Sequence, residues 1–214
     1  MKKSIGILLA VLFIGTAFGQ DEKAKAILDK VSSKTNGYES IVISFELTIT
    51  GQDGNAPISE TGKAYLKGDK YKIQLSDQDI YCDGVTITTH LKEDKECYTS
   101  SVADSQEEGM ISPSQILTIW EDGYKYKYIQ ETTYKGRAVH HINLFPKDPK
   151  SSKFFAIILK IDKEKNEVVT VLVKGKDGTN MKYTLTKFEK NVDLSPSNFE
   201  FDRAKHPDVE CYDE

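Results

Sequence analysis

The stretch 62–91 carries two turn signals between short runs of strand-forming residues, and it restricts the fold more than any other part of the chain. Gly68-Asp69 and Asp83-Gly84 each separate two such runs. Glycine readily adopts a positive φ and aspartate tolerates one, so both dipeptides suit tight hairpin turns. The stretch therefore predicts four consecutive antiparallel strands within 63–91.

Residues 41–50 read IVISFELTIT and predict one long strand with an apolar face. Ile43, Phe45 and Leu47 share that face, because successive side chains of a strand point to opposite sides of the sheet. A strand longer than the usual length of about five or six residues favours a curved sheet or a half-barrel.

Two segments predict helices that can cover this apolar face. In 24–33 the apolar residues recur with the period of an amphipathic helix, and Asn36-Gly37 suits its end. In 112–123 a proline follows a serine at the start and a glycine stands at the end, as in a short capped helix. This second segment contains Ile116 and Trp120. It is either a core-packing helix or a lid whose inner side contacts an apolar ligand.

Further strand-like runs separated by turn residues extend from 124 to 188, and no helix long enough for a parallel crossover lies between them. The chain thus predicts a mainly β (α+β) fold of about eleven antiparallel strands with two or three helices. So many strands with one apolar face must curl to bury it. We expect an incomplete antiparallel β-barrel with a helical lid over an apolar cavity.

Residues 1–19 have the pattern of a signal peptide: a positive start, an apolar run over 4–18 and small residues before a cut after Gly19. The alternative is a transmembrane anchor, although the apolar run is shorter than the roughly 20 residues that a span needs. Gln20 stands where a bacterial lipoprotein has its lipid-bearing cysteine. We expect an exported, periplasmic protein that is not itself lipidated, with 20–214 as a single domain.

The formal net charge of −4 becomes −6 when Lys2 and Lys3 leave with the signal peptide. A mildly acidic chain without clustered lysine and arginine argues against nucleic-acid binding. Cys82 and Cys97 lie on strands predicted to be neighbours, so a disulfide between them is possible, and Cys211 is the third cysteine. The spacing alone does not decide which cysteines pair.

The histidines do not form a recognisable catalytic or metal-binding pattern. His140 and His141 are adjacent on a predicted strand, so their side chains point to opposite faces and cannot share a metal ion. None of the common hydrolase, phosphate-loop or calcium-loop motifs is present in the sequence. We expect no metal, no cofactor and no enzymatic activity.

The order of these segments resembles the LolA family, the periplasmic carriers of outer-membrane lipoproteins. The resemblance covers the helix at 24–33, the long strand with Phe45, GKAYLKGDKYKIQL at 62–75 and IYCDGVTI at 80–87. The closing segment NFEFDRAKHPDVE at 198–210 is similar to the versions found in Bacteroidetes-like bacteria. Better-known members carry an Arg-Pro that helps to latch the lid where this chain has Gly68-Asp69, so no latch residue can be assigned.

The resemblance implies a cavity that shields lipoprotein acyl chains between an inner-membrane lipoprotein-releasing transporter and an outer-membrane receptor. Each buried methylene contributes about 0.8 kcal/mol, so acyl chains need such an escort through water. We expect a monomer whose cavity is lined by Ile43, Phe45, Leu47, Tyr65, Ile73, Leu75, Ile116 and Trp120. Two alternatives are a sensor or adaptor that binds lipidated or unfolded envelope proteins, and an enzyme that acts on envelope polymers.

Overall fold

The computed structural model describes residues 15–51, 56–107, 117–121 and 123–213. Two α-helices are present in this part of the chain, α1 (Gly15–Asn36) and α2 (Val102–Glu107). The strands are β1 (Ile41–Thr50), β2 (Ile58–Lys67), β3 (Lys70–Gln74), β4 (Gln78–Cys82), β5 (Thr86–Leu91), β6 (Glu96–Ser101), β7 (Tyr124–Tyr134), β8 (Arg137–Pro146), β9 (Phe154–Asp162), β10 (Val168–Gly175), β11 (Asn180–Lys190) and β12 (Glu210–Asp213). Two short 3-10 turns, Pro196–Phe199 and Arg203–Lys205, precede β12.

The strands form one open sheet of 12 strands in the order β12-β6-β5-β4-β3-β2-β1-β11-β10-β9-β8-β7. The four strands predicted within 63–91 are confirmed as β2 to β5, each paired antiparallel with the next. The mainly β, incomplete-barrel architecture is confirmed as well, since β7 and β12 end the sheet without pairing to each other. One pairing departs from the antiparallel expectation, because β12 runs parallel to β6.

Different segments of the chain pack on the two faces of the sheet. We call inner the face that bears Phe45, Tyr183 and Leu185, and outer the opposite face. Helix α1 lies on the inner face of β7–β10, where the predicted stripe of Ala24, Ile27, Leu28 and Val31 is buried. The helical pattern read from 24–33 is therefore confirmed, although α1 is longer at both ends.

Helix α1 begins at Gly15, inside the predicted signal peptide, so the expected cut after Gly19 falls within a helix. The cut itself stays a prediction. Among the helices of the described ranges, none combines the length and apolar character of a membrane span.

A C-terminal strap, residues 192–209, crosses the outer face of β1–β6. Leu194 and Phe199 of the strap are buried against Val42 and Tyr65. Farther along, the ring of Phe201 packs on Tyr81 with centroids 5.8 Å apart. The strap thus builds a second, smaller apolar layer on the outer face of the sheet.

Immediately after the strap, Cys211 on β12 forms a disulfide with Cys97 on β6. The suggested Cys82–Cys97 bridge is wrong, because β5 lies between β4 and β6 and the two cysteines point to opposite faces. Cys82 is a buried free thiol on the inner face.

His90 is buried beneath the strap, and we expect this burial to lower the stability of the protein in acid. Its ring is buried, with centroids 5.0 Å from Phe201 and 4.9 Å from His206. Burial, and then the charge of His206, lower the pKa of His90, and burial also lowers the pKa of His140. Histidine in an unfolded chain titrates at about 6.5, so below that pH the unfolded chain binds more protons than the folded chain.

The free energy of unfolding is therefore expected to fall as pH is lowered from about 7.5 towards about 5, before the carboxylates titrate. Replacing His90 with Phe should flatten this dependence, because the ring no longer resists protonation. Urea titrations of both proteins across that range test the expectation. The expectation is contradicted if the free energy of unfolding of H90F, and of an H90F/H140F double variant, depends on pH as steeply as that of the parent.

Candidate functional site

The inner face is divided into two apolar regions. Helix α1 covers the region on β7–β10, which forms a filled core. The second region lies on β1–β5 and β11, and many of its side chains are only half buried. These half-buried residues are Ile49, Ile73, Leu75, Ile80, Ile87, Met181, Tyr183, Leu185 and Phe188. We call this second region the apolar inner face.

The structure brings most of the sequence-predicted sheet residues together on the apolar inner face. Ile43, Phe45 and Leu47 of β1 are buried at its centre. Ile73 and Leu75 lie beside them and are half buried. Whether these residues contact a ligand stays a prediction.

Tyr65 requires a correction. Its β2 neighbours Ala64 and Leu66 point inward, so Tyr65 points outward and packs against the strap residue Phe199. From the sequence alone, either Tyr65 or its neighbours Ala64 and Leu66 could face inward. The prediction placed Tyr65 on the inner face, and this was wrong. Tyr65 therefore belongs to the outer apolar layer.

The segment 117–121 bridges the two apolar regions. Leu117 packs with the apolar inner face, whereas Ile119 and Trp120 pack with the core under α1. The indole Nε1 of Trp120 donates a hydrogen bond of 2.8 Å to Ser32 Oγ on α1. Trp120 is thus buried in the core under α1, and whether it also contacts a ligand stays a prediction.

Part of the helix predicted over 112–123 lies outside the described residues. Its described residues 117–120 form a turn, in which the Glu121 N–H donates to Thr118 O at 2.9 Å. Ile116 lies outside the described residues. The role of this segment as a lid therefore stays a prediction.

Gly62 leaves room for two large side chains on the apolar inner face. A Cβ at this position would lie 2.6 Å from Phe45 Cζ, 2.8 Å from Leu75 Cδ2 and 2.9 Å from the backbone oxygen of Gln74. All three distances are shorter than van der Waals contact. The glycine is thus required by the packing of Phe45 over β2.

Replacing Gly62 with Val is expected to destabilise the protein by about 1–3 kcal/mol, because an overpacked site forces side chains and backbone to shift. Thermal and urea unfolding measure the effect. Gly51, whose Cβ would meet nothing within 4 Å, provides the control, and G51V should stay within about 0.5 kcal/mol of the unchanged protein. Equal stability of G62V and the parent would refute the packing argument.

Sequence reasoning missed the contribution of β11. Met181, Tyr183 and Leu185 contact both apolar regions, and Tyr183 packs edge-on against Phe45 with ring centroids 5.9 Å apart. Burial raises the pKa of Tyr183, so its hydroxyl stays neutral at physiological pH. The alternation in MKYTLTKF marked a strand, but only the pairing of β11 with β1 brings these residues to the site.

Polar chemistry is sparse around the apolar inner face. Burial raises the pKa of the Cys82 thiol, and burial followed by the nearby thiol raises the pKa of the Tyr71 hydroxyl. Both groups therefore remain uncharged in the apolar surroundings. Among the described residues, no group of three or more His, Cys, Asp or Glu is arranged to hold a metal ion.

A separate open groove of about 520 Å³ lies along β1 and β2. Six of its seven lining residues are polar or charged, and Glu46, Glu60 and Asp77 supply carboxylates. Glu60 Oε1 already accepts hydrogen bonds from the Ser76 N–H and hydroxyl at 2.8 and 2.6 Å. This groove does not suit an acyl chain.

No protein-family model and no curated protein matches the sequence. Solved structures do match. An uncharacterized conserved protein from Thermus thermophilus has a TM-score of 0.55 at 10% identity, covering 90% of this chain and 99% of that chain. The Mycobacterium tuberculosis lipoprotein LppX has a TM-score of 0.50 at 14% identity, covering 82% of this chain and 98% of that chain.

A LolA superfamily protein from Nitrosomonas europaea, NE2245, is also similar, with a TM-score of 0.45 at 12% identity, covering 83% of this chain and 97% of that chain. The open antiparallel sheet with a helix on its inner face is the architecture that the sequence resemblance implies. This predicted fold is confirmed, and the Thermus thermophilus protein and LppX share it. At these identities the similarity concerns the fold alone, and the Bacteroidetes-type assignment stays a prediction.

Proposed function

We propose that this chain is an exported carrier that binds the acyl chains of lipoproteins over its apolar inner face and escorts them through the periplasm to the outer membrane. The observation that carries the proposal is the row of half-buried apolar side chains on β1–β5 and β11. Helix α1 fills the space over β7–β10 instead. An apolar surface with few polar groups is what a shape-tolerant lipid site requires.

The energetics favour a ligand with long hydrocarbon chains. Each methylene removed from water contributes about 0.8 kcal/mol, so one acyl chain can supply most of a useful affinity without directional contacts. Leu117 packs with the apolar inner face, and Trp120 in the same segment reaches Ser32 on α1. A ligand that displaces Leu117 would also alter the surroundings of Trp120.

The predicted signal peptide and the absence of a cysteine at position 20 support the exported, unlipidated location. Delivery requires a transporter that releases lipoproteins from the inner membrane and a receptor at the outer membrane. Both partners are part of the proposal by resemblance to the LolA family. LppX, a lipoprotein, shares the fold, which fits a location in the cell envelope.

A fluorescent fatty acid and a triacylated peptide, each titrated into delipidated protein, test the proposal. The adjacent residues Ile87 and Thr88 of β5 provide a matched pair, because Ile87 faces the apolar inner face and Thr88 the outer face. I87D is expected to weaken binding at least about tenfold, since a carboxylate resists burial beside a hydrocarbon chain. T88D should change the affinity less than about twofold, as expected for a substitution away from the binding surface.

Saturable binding should also shift the emission of Trp120, the single tryptophan of the chain. The carrier proposal fails if the protein shows no saturable binding, or if I87D and T88D weaken it equally while both remain folded by circular dichroism. Purification from envelope extract then separates the functions, because a carrier brings down lipoproteins and a sensor brings down a membrane regulator.

A further inference from the structure

The outer face of β7–β10 carries a concentration of positive charge in a chain whose formal net charge is −4. Strand pairing places Lys125 beside Phe145 and Lys127 beside Asn143 on this face. Lys160 on β9 and Lys174 on β10 point the same way. We call the set Lys125, Lys127, Phe145, Phe155, Lys160 and Lys174 the lysine–phenylalanine patch.

Two large aromatic side chains stand exposed among these lysines. Phe145 is 39% exposed and Phe155 is 48% exposed, whereas most other aromatic residues of the described strands are buried or half buried. The ammonium group of Lys174 lies 5.5 Å from the centroid of the Phe155 ring. The apolar and cationic parts of the patch therefore form one continuous surface.

The outward positions of these four strands carry almost no negative charge. Asp162, at the far end of β9, is the one carboxylate at the outward positions of these four strands as the structure describes them, and it is buried. Its Oδ1 accepts hydrogen bonds from the backbone N–H groups of Glu164 and Lys165 at 3.0 and 2.9 Å. The Asp162 carboxylate is thus already hydrogen-bonded within the protein, and the lysines of the patch remain available to bind an external anion.

The patch also has no covering element in the described part of the chain. Helix α1 lies on the inner face of the same strands, and the strap crosses the outer face of the other half of the sheet. The ammonium groups of Lys160 and Lys182 lie 4.6 and 5.7 Å from the centroid of the Tyr134 ring. Because Lys182 is on β11, the positive surface extends to that strand.

We propose that the lysine–phenylalanine patch docks the protein on an anionic phospholipid bilayer. Lysines attract the negative surface of a membrane, and exposed phenylalanine side chains insert at its interface. A protein partner fits the composition less well, because lysine is depleted in protein–protein interfaces. The patch lies on the face opposite to the apolar inner face, so this docking is independent of the acyl-chain site.

Co-sedimentation with vesicles tests the proposal, using phosphatidylcholine alone and phosphatidylcholine with phosphatidylglycerol. The chain from Gln20 onward, the form expected after signal cleavage, should bind only the anionic vesicles, and added salt should release it by screening. K125E/K174E is expected to lower the partition coefficient at least about tenfold. F155A should lower it several-fold as well, roughly in proportion to the apolar area lost.

The control variant K30E/K63E makes the same charge change at two exposed lysines outside the patch and should reduce binding less than about threefold, since only the net charge differs. Absence of binding to anionic vesicles, or equal losses in the two double variants, would overturn the proposal. Patch-dependent capture of an acidic protein without vesicle binding would overturn it too. Fatty-acid titration of K125E/K174E in solution should be unchanged, which separates this result from a failure of the carrier proposal.

Discussion

Replacing Cys211 with serine is expected to lower the free energy of unfolding by about 4 kcal/mol. The disulfide joins residues 114 positions apart, so its loss frees a long loop in the unfolded chain. A crosslink of roughly this span restricts the unfolded ensemble by about 4–5 kcal/mol in the chain-entropy treatment. The strap should also detach first, because the disulfide ties its end to β6.

Urea unfolding of C211S and of the oxidised parent measures this difference. Reducing agent should bring the parent to the stability of C211S and leave C211S unchanged. C82A serves as the control, because Cys82 is a free thiol and its removal deletes only a small buried side chain. If C211S stays within about 1 kcal/mol of the parent, the strap is held by packing alone, and the expected role of the disulfide is wrong.

Replacing Trp120 with alanine is expected to cost about 3–5 kcal/mol, the range for removing a large buried aromatic side chain. Trp120 is 4% exposed, packs with the core under α1 and donates a hydrogen bond to Ser32. Its loss leaves a cavity between α1 and the segment 117–121. The variant should therefore lose the bridge between the two apolar regions.

Ser32 supplies a matched and milder perturbation. S32A leaves the indole N–H buried without its partner and should cost about 1–3 kcal/mol, whereas W120F removes the donor and keeps most of the ring packing. Circular dichroism must follow unfolding of the Trp120 variants, since no other tryptophan remains to report by fluorescence. A cost of W120A smaller than that of S32A would contradict the packing assignment.

Local patterns predicted the parts of the fold that local interactions determine. The hairpins at Gly68-Asp69 and Asp83-Gly84 are present, and both glycines have positive φ values of 58° and 98°. The helical stripe and the long strand β1 were also correct. Each depends on neighbours within a few positions, so one sequence suffices to recognise it.

Long-range pairing could not be read in the same way. The parallel contact of β12 with β6 and the Cys97–Cys211 bridge join segments that share no local signal. The same limitation misplaced Tyr65, because no local pattern indicates that Phe199 of the strap forms an apolar layer outside β2. Burial on both faces removes the simple rule that the apolar side of a strand is the inner side.

The position of β1 has a consequence for when the molecule can fold. One neighbour of β1 is β2, the next strand in the chain, but the other is β11, which lies close to the carboxyl end. A nascent chain cannot complete the middle of its sheet until nearly all of it has emerged, and contacts so distant in sequence form slowly. The complete sheet can therefore form only late in synthesis, which suits the proposed passage across a membrane before folding is finished.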